Sequence, residues 1–383
     1  MTKQGEKLGK KNWVSKFKLV GKAKVNDYTF KLDEQSKSSS WVYNSMNLGI
    51  DCGDKYGVCY CSMMGGYSPD RETTIYANMK DDFTKTAKIA WEDRNDPDIL
   101  DELHFSNFTS VALEVDSNGK NYKREFLSPY DAIKAIHKLL KDGMTVCVVG
   151  NLQYREYNGT VQMDKVATGI FLSTKEPEEF EATFTQSILL GEDSVVLSDF
   201  DKMTGILPVD GIVLDYVKEV NGHEVKTNFP YHFNFECQFD PKKPEILKAF
   251  YKNLLKVKKG YTQVNFVGDF VSSGNTVAPT LDDVDDEIRG LIGVCYTEEE
   301  VLRMCAGSGS REQHVFLRSP NIENITTDDG IVHHNMQRYE ERYTEDELDF
   351  SWTMTNDEEP PFDETVEVHS GDDDDFEDFL NDL

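Results

Sequence analysis

Residues 128–172 read SPYDAIKAIHKLLKDGMTVCVVGNLQYREYNGTVQMDKVATGIFL, and their reading decides the fold. Ser128-Pro129 pairs a cap with a first-turn proline, a helix opening. Ile133, Ile136, Leu139 and Leu140 then fall on one helical face. Gly143 ends the helix. Residues 144–154 and 160–172 alternate as two strands, and Tyr157-Asn158-Gly159 supplies the hairpin turn between them.

The same unit recurs downstream. AIKAIHKLLKDGMTVCVVGNL (132–152) and LKAFYKNLLKVKKGYTQVNFVGDF (247–270) both run helix, Lys-x-Gly, strand, Val-Gly, then Asn or Asp and an apolar residue. Upstream of the first copy, KFKLVGKAKV (16–25) is a strand with one buried face, and its Gly21 marks a bend or a close backbone approach. Residues 41–51 and 56–64 read as two more strands. Upstream of the second copy, residues 205–220 and 223–239 alternate around an Asn221-Gly222 turn. Residues 65–127 are too long for a simple connection and hold a hairpin over 110–126. A helix is predicted over 281–306, with Thr297 and Glu300 as a capping box.

The fold class is therefore mainly β with α: two tandem barrels, each with a helix before its closing strands. The predicted organisation is a basic N-terminal arm (1–12), domain 1 (13–174, insertion about 65–127) and domain 2 (175–279). A helical or irregular extension (280–339) and a disordered acidic tail (340–383) follow.

Charge is unevenly placed. The 383 residues carry a net −29, yet residues 1–24 hold eight Lys against one Glu. The last 44 residues hold 19 Asp or Glu and one Arg, a composition that resists packing. Mean hydropathy is −0.55, and no apolar run reaches the roughly 20 residues of a membrane helix. Seven thinly spread cysteines fit free thiols in a reducing cytoplasm. Cys52, Cys59 and Cys61 lack a metal-knuckle spacing, and no phosphate loop, nucleophile elbow or zinc-protease motif occurs. No catalytic residue, metal or cofactor is expected.

Three strands, a helix, then two strands is the order of the five-stranded OB fold. Here the chain resembles single-stranded DNA-binding proteins of phage or bacterial type. KFKLVGK (16–22) looks like their opening strand, and residues 141–152 with 161–172 look like their closing hairpin. The C-terminal DDDDFEDFLNDL resembles their acidic, apolar-ended tails. The resemblance implies sequence-independent protection of single-stranded DNA in replication, recombination and repair, with replication or recombination proteins recruited through Asp375, Phe376, Phe379, Leu380 and Leu383. It implies a cytoplasmic location in a bacterium or phage-infected cell.

The residues point the same way. Binding of any single strand needs aromatic platforms for bases and cations for phosphates. Lys16, Lys18, Lys22 and Lys24 share one side of the first strand. Trp41 and Tyr43 share a face of the next, Tyr56 and Tyr60 follow, and Tyr154, Arg155, Tyr157 and Lys165 crowd the closing hairpin. Any one of these aromatics can instead be barrel core, and Trp41, Tyr154 and Tyr157 are the favoured platforms because polar neighbours or turns surround them. Lys248, Lys252, Lys256 and Lys259 form a second basic stripe, equally readable as a solvated helix face. The rival function is a protein-interaction scaffold or DNA mimic built on OB folds, which the acidic body favours.

Overall fold

The computed structural model describes residues 7–82, 84–116, 119–273, 312–326 and 332–354, with Arg289. Alternation decides the first strand. In β1 (Ser15–Lys24), Phe17, Leu19 and Ala23 are buried while Lys16, Lys18, Lys22 and Lys24 beside them are exposed. β2 (Phe30–Gln35), which the sequence reading missed, pairs with β3 (Val42–Asp51). β3 and β4 (Val58–Tyr67) pair antiparallel along their whole length, from Val42↔Tyr67 to Asp51↔Val58. The insertion holds the hairpin β5 (Thr74–Asn78) and β6 (Thr86–Ala90), the short α1 (Pro97–Leu100), and the paired β7 (Thr109–Ala112) and β8 (Arg124–Phe126). It has a small core of its own in Ala77, Ile89, Leu103 and Leu127. Tyr67 stacks on Trp91 at 5.1 Å, and Trp91 meets Tyr130 edge-on, tying the insertion to the next helix.

That helix is α2 (Pro129–Leu139). The Ser128 hydroxyl accepts the Tyr130 N–H at 3.2 Å, and Ile133 and Ile136 are fully buried. β9 (Thr145–Tyr157) and β10 (Thr160–Leu172) turn through Asn158 and Gly159 at φ of 51° and 73°, the left-handed pair a tight hairpin requires. The pairings close on themselves. β1 pairs with β3, β3 with β4, β4 with β10 in parallel, β10 with β9, and β9 with β1.

A second cycle repeats this order. It uses β11 (Glu181–Leu190), β12 (Ile206–Val220), β13 (His223–Gln238), α3 (Pro244–Phe250), β14 (Tyr261–Ser273) and β15 (Glu312–Pro320). β11 pairs with β12, β12 with β13, β13 with β15 in parallel, β15 with β14, and β14 with β11. In both cycles the helix precedes the fourth strand.

The repeated Val-Gly now has a physical reason. A Cβ on Gly150 of β9 would lie 2.6 Å from the Phe17 ring and closer still to the Val166 carbonyl oxygen. On Gly268 of β14 it would run into the Phe184 ring and the Phe316 carbonyl. Each fourth strand is thus notched for the phenylalanine of its own first strand. Those first strands pair antiparallel, and Phe17 lies opposite Phe184. One apolar cluster runs through both cycles. The close approach expected at Gly21 is present too, against the Asp51 carbonyl.

Three segments differ from the sequence expectation. The stretch read as a helical or irregular extension contains β15, the hairpin β16 (Ile322–Thr326) and β17 (Val332–Met336), and the start of β18 (Arg338–Tyr343). β18 pairs with β14. The acidic tail does not begin at 340: Tyr343, Leu348 and Phe350 are buried, and Glu345–Leu348 forms a capped helical turn. Apolar residues spaced among the carboxylates seat this stretch, and net charge conceals them. The N-terminal arm is also docked from residue 7 on. Leu8 is buried and donates its N–H to Thr227 Oγ1 at 2.8 Å, while Lys11 reaches Glu347 at 2.7 Å. The helix expected over 281–306, with Thr297 and Glu300, lies outside the described residues. So do Asp375, Phe376, Phe379, Leu380 and Leu383.

The second basic stripe is divided as well. α3 ends at Phe250 and one wider turn, Tyr251–Leu255, follows, so Lys256 and Lys259 lie beyond the helix that carries Lys248.

Candidate nucleic-acid interface

Strand alternation gives β3 and β4 one face in the core and one outside. Asn44, Met46, Leu48 and Ile50 point inward, as do Cys59, Cys61 and Met63. Outward stand Tyr43, Ser45, Asn47 and Gly49 on β3, and Tyr60, Ser62, Met64 and Gly66 on β4. Register turns these residues into rows across the sheet. Lys24 of β1, Gly49 and Tyr60 form one row. Asn47 and Ser62 form the next, then Lys31 of β2 with Ser45 and Met64, then Tyr43 with Gly66.

Glycine seats the rings at both ends of this strip. A Cβ on Gly49 would meet Tyr60 Cε1 at 3.1 Å, and one on Gly66 would meet Trp41 Nε1 at 2.9 Å. Trp41 also stacks on Tyr43, with centroids 5.0 Å apart and planes 17° apart. Tyr60 is 47% exposed and Met64 56%. From Tyr43 to Gly49 the strand spans ~20 Å. The strip therefore offers stacking surface at each end, hydroxyl and amide groups in the middle, and cations along one flank.

The first-strand lysines divide. Lys18 pairs with Glu181, whose hydrogen bond raises the lysine pKa, and Lys24 pairs with Asp51 at 3.1 Å. Lys16 and Lys22 are exposed, with no ion-pair partner among the described residues. Lys31, which sequence reading missed, is likewise exposed. Its strand carries too few apolar positions to announce itself, so only pairing with β3 reveals it.

Three residues expected in the groove are buried instead. Tyr154 is 4% exposed, packs edge-on against Phe233 at 5.4 Å and donates its hydroxyl to Gln186 Oε1 at 3.2 Å. Its backbone N–H reaches Asp215 of β12 at 2.7 Å, so it joins the two cycles and offers no platform. Tyr56 is buried under Lys55, and its carbonyl accepts the Ser272 N–H of β14 at 2.9 Å. Lys165 is 5% exposed, its ammonium 4.2 Å from the centre of the Phe270 ring. In each case the second cycle covers a side that strand periodicity marked as outer or ambiguous. Arg155 pairs with Asp164 at 2.6 Å, and Tyr157 stays 55% exposed at the hairpin tip. Trp41 and Tyr43 share a face, as the sequence reading has them, and Asn47, Ser62 and Met64, which that reading did not single out, stand on the same outer strip.

A family model described as YorF matches residues 95–291, just over half of the chain. The chain belongs to the YorF family. The YorF match runs from the insertion through α2 and the closing hairpin, then past the end of β14. Among curated proteins, none matches this YorF chain. Two similar solved structures are of the single-stranded DNA-binding protein from Thermus aquaticus. The wild type is 10% identical with a TM-score of 0.32, covering 68% of this chain and 86% of that one. A deletion mutant is 10% identical with a TM-score of 0.31, covering 68% and 88%.

Where the two cycles of this YorF chain meet, a cavity of about 240 Å³ opens beside Tyr60 and Lys165. Burial pushes the Lys165 pKa down from its ordinary 10.5, and burial pushes the Cys61 thiol up to about 12. Cys59 and Cys61 are both buried, as their shared strand face predicts. A lowered lysine pKa means that the folded state resists the charged form. The penalty is full below the folded pKa and vanishes as pH rises toward 10.5. Lys165→Met should accordingly stabilise the unliganded chain by about 1–3 kcal/mol at neutral pH. That advantage should shrink with rising pH, as urea denaturation across a pH series will read; a constant difference would count against it.

Proposed function

We propose that this chain binds single-stranded nucleic acid, DNA in the first instance, without regard to sequence, and so protects exposed strands during replication, recombination or repair. The observation that carries the reading is the outer strip of β3 and β4, with its Trp41–Tyr43 stack, the Tyr60 ring over Gly49, and Lys24 and Lys31 alongside. Each five-strand cycle is an OB-fold barrel in this reading, and the two stand in tandem, supported by the identical pairing order and the helix before the fourth strand. Bases stack on the rings at about 1–3 kcal/mol each, and the lysines screen phosphates. The chain acts by binding, without catalysis, in the cytoplasm. Among the described residues, no helix is long and apolar enough to cross a membrane.

Residues 355–383 hold thirteen Asp or Glu and no Lys or Arg. In this reading they recruit replication or recombination proteins through Asp375, Phe376, Phe379, Leu380 and Leu383, and in the free protein they compete with DNA for the lysines. Deletion should therefore start after Met354, because 340–354 is packed. Removing 355–383 should tighten oligo-dT binding on the order of tenfold at low salt and less at high salt, where screening already weakens the competitor. Equal affinities at low salt would remove the competition.

The direct test is fluorescence anisotropy of labelled oligo-dT against the full chain, over a salt series and with duplex competitor. Binding that prefers single strands and weakens with salt is the expected result. Silence at low salt, in the full chain and in the chain lacking 355–383, would overturn the reading and leave the protein-interaction scaffold.

A further inference from the structure

The cavity at the junction of the two cycles holds a feature that the outer strip does not explain. Lys165 is 5% exposed, and its ammonium lies over the face of Phe270 and opens to the cavity, with no hydrogen-bond or ion-pair partner among the described residues. Its neighbour Asp164 is engaged by Arg155 at 2.6 Å. A cation confined at the wall of a narrow cavity is poorly hydrated, and an anion that enters the cavity offsets that cost.

The rest of the lining has a definite chemistry. Tyr60 presents its ring at the wall. Asn47 and Gln313 carry amides, and Ser62 and Ser272 carry hydroxyls, from both cycles. The amides donate and accept, as the edge of a nucleobase does. We propose that this junction cavity is a subsite for one nucleotide, with the base against Tyr60, its edge met by the amides, and the phosphate on the Lys165 ammonium. The ligand class rests on the strand-binding reading, but the site is separate from the Trp41–Tyr43 end of the strip. A free nucleoside monophosphate and the 5′-phosphorylated end of a strand present the same chemistry.

The test is calorimetric titration of the full chain with dTMP, thymidine and inorganic phosphate, then with oligo-dT carrying a 5′-phosphate or a 5′-hydroxyl. dTMP should bind, thymidine and phosphate should each bind at least about tenfold more weakly, and Lys165→Met should remove the preference for dTMP over thymidine. Tyr60→Ala, at an exposed ring, should weaken dTMP and leave phosphate unchanged. A 5′-phosphate preference in the oligonucleotide pair would assign the site to strand ends, and its absence would assign it to free nucleotides.

Trp41→Ala separates the two sites, since it should weaken oligo-dT and leave dTMP unaffected. Wild-type binding of oligo-dT with no binding of dTMP would overturn the subsite and leave the strand reading standing. Failure of both would overturn both. Phosphate binding as tightly as dTMP, or dTMP binding unchanged in Lys165→Met, would also overturn the nucleotide assignment.

Discussion

Replacing Trp41 and Tyr60 together by alanine should cost the chain most of its affinity for oligo-dT. Each ring contributes about 1–3 kcal/mol of stacking, so each single change weakens binding roughly 5- to 150-fold. The two rings stand at opposite ends of the strip, on different strands, so their effects should nearly add. The expected loss for the double variant is about 2–6 kcal/mol. The salt dependence should barely change, because no phosphate contact is removed. Lys24→Ala and Lys31→Ala should behave in the opposite way, with modest affinity loss and a salt slope lower by about 0.7 for each phosphate contact removed. Anisotropy titrations at four salt concentrations separate the two signatures. Full affinity in Trp41→Ala/Tyr60→Ala would mean that strands bind elsewhere or not at all. The fold should survive these changes, since Tyr60 is 47% exposed and Trp41 lies on the outer side of its sheet.

The second large effect concerns stability. Gly150→Ala and Gly268→Ala each add one methyl group where a phenylalanine ring and a carbonyl already sit. Neither neighbour is the free end of a flexible chain, because Phe17 and Phe184 are buried at 3% and 2% exposure in the shared core. Overpacking of this kind costs about 3 kcal/mol, the upper part of its usual range. Denaturant unfolding should register the loss for both variants. Phe17→Leu should recover part of it in the Gly150→Ala background, because the smaller side chain vacates the notch, whereas the carbonyl clash remains. Wild-type stability in both glycine variants would show that the first strands shift freely, and the explanation of the repeated Val-Gly would fail.

The corrected residues share one cause. Tyr154 and Lys165 sit on a hairpin whose alternation is plain in the sequence, and Tyr56 precedes an equally plain strand. Period two says which side of a strand a residue occupies. It does not say what lies against that side. Tyr154 meets Phe233, Lys165 meets Phe270, and Tyr56 meets Ser272, all from the second cycle and each more than 75 positions away along the chain. Trp41 and Tyr43 stay half-buried on the outer face of β3, where the rings stack on each other and Trp41 lies against Gly66.

The sequence by itself determined the local pieces. The capped helix α2, the Asn-Gly hairpins, the alternating strands and the duplicated helix–strand unit all rest on contacts between near neighbours, so short-range pattern suffices. Tertiary structure alone decided which strands close each cycle, that β15 belongs to the second one, and that residues 338–350 pack on the body. It also set Lys31 and Met64 in one row on either side of Ser45 and, among the described residues, left Lys165 without an ion-pair partner. These outcomes depend on pairings between distant segments and on which surfaces exclude water, and a local periodicity carries no information about either.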